Sequence, residues 1–440
     1  MALSMNPVYN LKAVLKETGI KPDVLRAWER RYGVPLPQRS AGGHRLYSEH
    51  DIEIIKWLLA RQEDGLSISH AVEMWKDHLA KGTDPIEAHH ETAQAGASTL
   101  QSSAMVLTGI DDFRTQWING CLAFNESAVE QVLNQAFAIY PVEFVCTEVL
   151  QRGLVEIGWM WYQNRASVQQ EHFASALALR RMDALLLSCA APTRPETVIV
   201  GCPADEWHVL IPLMLALFIR RRGCNVIYLG ANVPSDQIVG TVSAVKASLV
   251  ILAAQQLRTA ANLQQAAGLL ASNNIQVAFG GRIFASNPDL VARIPGHYLG
   301  SRLDGAIHLV EGLLSSQLPA PRVPAVSADY ERCLKTYIAR RPFVEATLTS
   351  EVGSAMSETT DFPETNKHMG DNIIAALRLG NVGYLDGEID WLKTLLVSYN
   401  LPENLLKDYL HTYLGAINQH MNGSAALLAG WFEQQLLALE

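Results

Sequence analysis

Four short apolar runs in the middle of the chain restrict its fold more than any other feature. They are Thr197–Cys202, Asn225–Gly230, Leu249–Ala253 and Gln276–Gly281. Each is too short for a stable helix and too uniformly apolar for a strand with one wet face. Strands of that kind are buried on both sides, as in parallel sheets covered by helices. The segments between the runs have helical periodicity, so the order predicts a doubly wound parallel α/β sheet. The flanks follow a different period. Residues 110–190 are helical in pattern throughout and predict an antiparallel bundle. Residues 328–440 return to helix, with Leu406, Tyr409, Leu410, Tyr413 and Ile417 at helical spacing. The fold class is a multidomain α plus α/β chain.

A length of 440 residues suggests three or four domains. Segment 79–108 is rich in Ala, Ser, Gln and Thr without periodicity and reads as a linker; Pro319, Pro321 and Pro324 mark a second. The expected units are a head over 1–78, a bundle over 109–192, the α/β domain over 195–318 and a carboxy-terminal helical domain over 327–440. No run of about 18 apolar residues occurs, so no membrane contact is expected. Met1–Tyr9 lacks a basic segment followed by an apolar core, the mark of a secretory signal. Six scattered cysteines (Cys121, Cys146, Cys189, Cys202, Cys224 and Cys333) read as buried thiols in a reducing cytoplasm. The net charge of −9 conceals an asymmetry: residues 1–50 hold eight Lys or Arg against four acids, whereas acids outnumber bases over 327–440. A basic head on an acidic chain suits a polyanionic partner at that end.

Residues 10–33 predict two short helices with a turn at Gly19. Leu11, Val14 and Leu15 form the inner face of the first, and Val24, Leu25 and Trp28 that of the second. Pro35 and Pro37 end the second helix, and further helices are expected over 50–62 and 68–78. The segment Leu25–Gly33 (LRAWERRYG), followed by Pro37–Tyr47 (PQRSAGGHRLY), resembles the MerR family of winged helix-turn-helix regulators. Such a head presents Arg26 and Arg30 to a major groove. Gly42 and Gly43 permit a tight wing turn, and Arg39 and Arg45 then stand where phosphates are gripped. The resemblance adds Lys21, Arg31, Gly43, His44 and Tyr47 to the expected DNA contacts. It also implies a homo-oligomer, dimer or tetramer, on double-stranded operator DNA. Trp28 is expected in the core.

Two motifs bracket the first strand of the α/β region. Trp161 precedes Glu171–His172 in the form W-x9-EH, and Glu206–Trp207–His208 gives E-x-H, with Gly280–Gly281 further on. This order resembles the cobalamin-binding half of light-sensing, vitamin-B12-dependent transcription factors. The resemblance implies adenosylcobalamin as cofactor. Trp161 would pack on the upper adenosyl group, Glu171 would hydrogen-bond it, and His172 would reach cobalt once the upper bond is broken. His208 would ligate cobalt from below, with Glu206 orienting its neighbours. Its place just after the first strand is the carboxyl edge, where open α/β sheets bind ligands. Gly230, Val233, Pro234, Gly280 and Gly281 lie in loops resembling those that admit a nucleotide tail and a corrin edge. Ile211 stands where that family has glycine, and Ala253–Leu257 where it has Ser-x-Leu, so the tail slot is expected to be narrowed. Of Trp159 and Trp161, one is expected to be core.

The carboxy-terminal domain is an addition. In length, position and helicity it resembles the globin-like helical domain of B12-and-bilin photoreceptors (photocobilins). That implies biliverdin as a second chromophore, in a slot made by Trp391, Tyr409, Tyr413, His420 and Trp431 with Arg340 and Arg341 on its propionates. Cys333, His368 and His411 are further candidates. A structural or dimerisation domain gives the same pattern. The expected function is a light-responsive transcriptional regulator, not an enzyme, with no catalytic residue. Two alternatives stay open: a regulator sensing a bilin or another small ligand instead of cobalamin, and a cobalamin-dependent methyltransferase or mutase component.

Overall fold

The computed structural model describes residues 7, 9–18, 20–39, 45–63, 68, 71–72, 75–76, 109–163, 165–316, 318–351, 362–398, 402 and 404–439. The expected wing turn, the linker over 79–108 and most of the helix over 68–78 lie outside them. The chain divides into two units, Met1–Leu107 and Thr108–Glu440. Among the described residues no helix is long and apolar enough to cross a membrane.

The first unit runs β1 (Tyr9–Asn10), α1 (Leu11–Thr18), α2 (Pro22–Tyr32), β2 (Gln38–Arg39), β3 (Arg45–Tyr47) and α3 (Glu49–Glu63). Asn10 caps α1 by accepting a hydrogen bond from Ala13 N at 3.0 Å. Pro22 opens α2, where its missing N–H has no helical partner to lose. Gly33, at φ +68°, closes α2 with a left-handed cap. The helix therefore stops at glycine, before the two prolines that the sequence suggests as its end. β2 and β3 pair antiparallel, Arg39 opposite Arg45, and β1 flanks β3. Leu25 and Trp28 face the core, whereas Val24 is exposed.

The second unit begins with the expected bundle: α4 (Ile110–Leu122), α5 (Glu126–Ile139), α6 (Val142–Val145), a π-helical turn (Cys146–Gln151), α7 (Arg152–Tyr162) and α8 (Val168–Leu187). Asn125 caps α5, and Ser167 with Gln170 forms a capping box at the start of α8. Then come β4 (Thr197–Pro203), α9 (Leu210–Arg221), β5 (Asn225–Val233), α10 (Ile238–Val245), β6 (Leu249–Ala253), α11 (Leu257–Ser272), β7 (Val277–Gly280), α12 (Arg282–Ser286), β8 (His297–Tyr298) and α13 (Leu303–Ser315). The strands lie parallel in the order β5-β4-β6-β7-β8. Four strands follow the four apolar runs; β8, two residues long, has no such run. Alternate residues supply opposite cores. Val198, Val200 and Ile251 pack with α9, α13 and the bundle, while Ile199, Val250 and Leu252 pack with α10 and α11.

Among the described residues, the last five α-helices are α14 (Ala328–Glu351), α15 (Phe362–Leu379), α16 (Asp386–Ser398), α17 (Asn404–Met421) and α18 (Ala426–Leu437). Their core is continuous with the second face of the sheet, because α15 packs on α11. The proline segment at 319–324 thus joins parts that share one core. The residues expected to line a bilin slot have protein partners in this fold. Tyr409 and Tyr413 are buried, and Tyr413 is stacked on Phe432 and hydrogen-bonded to Tyr337 at 2.6 Å. Trp431 donates to Asp386 at 2.8 Å, His420 meets Thr347 at 3.0 Å, and Arg341 is paired with Glu345 and Asp371. Arg340 lies over the ring of Phe343, the Trp391 ring is tilted against His368 with centroids 4.4 Å apart, and Cys333 is buried. These side chains are the helical core and its edges.

Gly153 shows how tightly the bundle is built. A Cβ there would lie 2.8 Å from Cε3 and Cζ3 of the buried Trp117 ring. Gly153→Ala gains about 1 kcal/mol of helix propensity, but relieving the overlap costs about 1–3 kcal/mol. The overlap is expected to prevail, lowering the melting temperature by a few degrees. A raised melting temperature would show that the indole has room to move.

Candidate functional site

In the head, α2 carries Lys21 at its N-cap and Arg26, Arg30 and Arg31 on its exposed side. Arg31 lies over the Tyr32 ring at 5.7 Å. Two of the expected wing residues are tied to α2. Tyr47 is wholly buried, and its hydroxyl donates to Glu29 Oε1 at 2.5 Å. Arg45 donates through Nε to Glu29 Oε2 at 2.7 Å. Glu29 therefore binds wing to helix through both side chains. Burial and Glu29 together push the Tyr47 hydroxyl well above its ordinary pKa. Gly43, His44 and the side chain of Arg39 lie outside the described residues.

In the second unit the carboxyl ends of β4 and β6 mark the switch point of the sheet, where connections leave in opposite directions. The loop after β4 carries Asp205, Glu206 and His208. Glu206 is 1% exposed, whereas the His208 side chain is 60% exposed. Four contacts converge on the Glu206 carboxylate. Oε1 accepts from His208 N at 3.0 Å and faces His208 Nδ1 at 2.6 Å. Oε2 accepts from Gln255 N at 2.6 Å and from Thr259 Oγ1 at 2.7 Å. Burial alone would raise the Glu206 pKa, but the hydrogen bonds from His208, Thr259 and the backbone outweigh it and hold the carboxyl at about 2. With Nδ1 turned to this carboxylate, His208 has Nε2 left to act as a ligand.

Beside this loop lies a cavity of about 270 Å³ with largely apolar walls. Gly201, Ile211, Leu215, Gly280 and Gly281 contribute to it, and Gln151 reaches it from the bundle. Ile211 forms wall without closing the space. Gly281 has φ +127°, and a Cβ there would overlap the Ala254 carbonyl oxygen, so only glycine serves. Gly230, Val233 and Pro234 lie at the end of β5 and are not among the residues lining this cavity. α7 and α8 form a hairpin whose closed end carries both Trp161 and His172. Glu171 Oε1 accepts from Ser175 at 2.7 Å, and Glu171 Oε2 faces His172 Nδ1 at 2.9 Å. Neither tryptophan of the pair is core: Trp159 is 57% and Trp161 48% exposed. Burial pushes the Cys121, Cys146 and Cys202 thiols up to about 12, so none is a thiolate near neutral pH. Cys189 is only half-buried.

The E-x-H motif names Glu206 and His208, whereas Thr259 and Gln255 belong to no motif in the sequence. Thr259 sits at N3 of α11 behind Gln256, a capping-box position that is the one local signal for it. Gln255 also links the loops, its side chain accepting from Arg282 N at 2.9 Å.

Residues 9–77 match the MerR HTH family of regulatory proteins, and residues 114–186 and 196–302 each match a B12 binding domain. The chain is similar to two proteins of Myxococcus xanthus. One is the HTH-type transcriptional repressor CarA, 32% identical over 249 residues, covering 55% of this chain and 75% of CarA. The other is the HTH-type transcriptional repressor CarH, 29% identical over 257 residues, covering 58% of this chain and 82% of CarH. A solved monomethylamine corrinoid protein of Methanosarcina barkeri aligns over 47% of this chain and all of its own, with a TM-score of 0.41 and 13% identity.

Two predictions follow from the buried carboxylates. Tyr47→Phe removes a buried donor from Glu29 and should destabilise the head by about 1–2 kcal/mol, leaving DNA affinity unchanged well below the melt. Weaker DNA binding with an unaltered melting curve would restore Tyr47 to the interface. For Glu206, a pKa of about 2 against an ordinary 4.5 means that the folded chain binds this proton less readily than the unfolded one. Its contribution is fully present above pH 4.5 and is lost as pH falls toward 2, a span worth roughly 3 kcal/mol. In Glu206→Gln, acid unfolding should lack that part of the slope; a slope identical to wild type would refute the assignment.

Proposed function

We propose a function from one premise: the chain belongs to the family of the HTH-type transcriptional repressors CarA and CarH, with a MerR-type DNA-binding head and B12-binding domains. On our reading it is a transcriptional regulator that holds adenosylcobalamin and answers to light. The observation that carries the reading is the Glu206–His208 unit at the sheet edge beside an apolar cavity. Three features fit the cofactor. His208 offers one imidazole nitrogen while a carboxylate holds the other, the arrangement common to metal-binding histidines. The cavity of about 270 Å³ suits a nucleotide tail. Gly281 lets backbone, not side chain, line its wall.

When bound, the cofactor supplies a cobalt–carbon bond that light breaks. Glu206 fixes the tautomer and direction of His208, the proposed lower ligand. Trp161 and Glu171, at the closed end of the α7–α8 hairpin, would hold the adenosyl group, and the exposed His172 beside them would supply a further imidazole. On this reading the hairpin carrying Trp161, Glu171 and His172 would be the element that responds to a change in the cofactor. The head reads duplex DNA through Arg26 and Arg30, and reading an inverted repeat requires at least a dimer.

Absorption spectra of protein loaded with adenosylcobalamin, taken in the dark and after illumination, test this reading. A light-induced change is expected, and identical spectra would end the light-sensing part. His208→Ala should weaken dark cobalamin binding at least tenfold, the scale of losses seen when metal-site partners are removed. His172→Ala should leave dark affinity alone and shorten the life of the illuminated state. Equal dark affinity in wild type and His208→Ala would remove the lower-ligand role. In the head, Arg30→Ala should cost about 1–3 kcal/mol of operator binding and relax the sequence preference; an unchanged preference would place Arg30 off the base edges.

A further inference from the structure

The helix that closes the corrinoid loop also carries the carboxy-terminal domain. The first turns of α11 hold the β4 loop by three side chains. Thr259 donates to Glu206 at 2.7 Å. Asn262 Nδ2 donates to Ala204 O at 2.9 Å and lies 3.3 Å from Asp205 Oδ2. Arg258 Nη1 lies 4.0 Å from the same Asp205 oxygen. The loop needs such restraint. Asp205, at φ +65°, and Asn232, at φ +51°, are both left-handed, which non-glycine residues adopt at some cost. They are locked together, Asp205 N donating to Asn232 Oδ1 at 2.8 Å and Asn232 N to Glu206 O at 3.0 Å.

Arg258 has a second partner. Its Nη1 is 3.5 Å from Asp371 Oδ2 on α15. Asp371 is itself fixed, since Oδ1 accepts from Arg341 Nη1 at 2.6 Å. Arg341 is anchored in turn by Glu345 at 2.6 Å and by the Lys367 carbonyl at 3.0 Å. Gly370 gives that guanidinium its place, because a Cβ there would come within 2.8 Å of it. Charges thus alternate from the loop into the helical domain: Asp205, Arg258, Asp371, Arg341, Glu345. A crevice of about 190 Å³ beside Asp205, Arg258 and Asp371 leaves the bridging guanidinium space to shift between its two carboxylates.

We infer that Arg258 is a positioning residue for His208, tying the β4 loop to Asp371 so that filling the corrinoid site and ordering the carboxy-terminal helices are coupled. The inference rests on the reading of His208 as lower ligand. Asp371 holds Arg258, Arg258 restrains Asp205, and the restraint reaches His208 through Glu206. Solvent-accessible ion pairs of this kind are individually weak, so the expected coupling is modest, about three- to tenfold in affinity.

The test uses the full chain, hydroxocobalamin as probe, and hydrogen exchange alongside absorbance titration. Arg258→Gln should speed exchange over residues 203–209 in the apoprotein and weaken hydroxocobalamin binding three- to tenfold. Arg258→Lys, which keeps the charge, should recover most of both. In wild type, loading should slow exchange over residues 362–379, and in Arg258→Gln that slowing should be lost. Wild-type exchange over 203–209 in apo Arg258→Gln would overturn the tether, whatever cobalamin does. Equal slowing over 362–379 on loading wild type and Arg258→Gln would overturn the coupling. If His208→Ala binds hydroxocobalamin as tightly as wild type, the ligand assignment fails, while the apoprotein exchange still decides the tether alone.

Discussion

A carboxylate shut away from water must be surrounded by donors, and Glu206 is the point to which the corrinoid half of this chain is built. Removing such a group from solvent costs several kcal/mol unless hydrogen bonds replace its hydration. Here a backbone N–H and an imidazole come from its own loop, a backbone N–H from the end of β6, and a hydroxyl from α11. Each donor fixes the element that provides it. The carboxylate therefore sets the spacing of β4, β6 and α11 as well as the direction of one histidine. An imidazole held this way would need no reorganisation to ligate a metal.

Architecture by layers explains why the additional helices are not a detachable appendix. The sheet is buried on both faces. One face is covered by α9, α13 and the bundle, and the other by α10 and α11 with the last five helices behind. α11 is amphipathic in two directions, with Leu257, Ala260 and Leu263 in the shared core and Arg258 and Asn262 in the polar contacts. A ligand site and a distant helical domain that share one helix share its mobility.

Much of this was legible in the residues. Uninterrupted apolar runs marked four strands because burial on both faces leaves no place for alternation, and β8 escaped because two residues cannot form a run. Glu206 and His208 were legible because they are two residues apart. Thr259 was not, since it lies 53 residues from its partner and only the folding of α11 across β4 brings them together. The contact of Tyr47 with Glu29 was hidden for a similar reason. An aromatic residue in a basic wing suggests a DNA contact, and its burial depends on Glu29, 18 residues upstream. Tyr409, Tyr413 and Trp431 have the spacing of a ligand slot and of a core alike, so the sequence alone could not separate the two.

The π-helical turn at Cys146–Gln151 has a consequence for how this module tolerates change. Such a turn amounts to one residue inserted into an α-helix, and each residue of an α-helix advances by about 100°. Everything from Arg152 to Tyr162 is thereby rotated by about that angle from where an unbroken helix would place it. The azimuth of Trp161 is set ten residues upstream, in a segment that itself carries Gln151 to the cavity wall. Deleting one residue there would leave a regular helix of sound stability whose aromatic side chains point the wrong way. The register of this helix is thus constrained by phase, independently of the identity of any side chain along it.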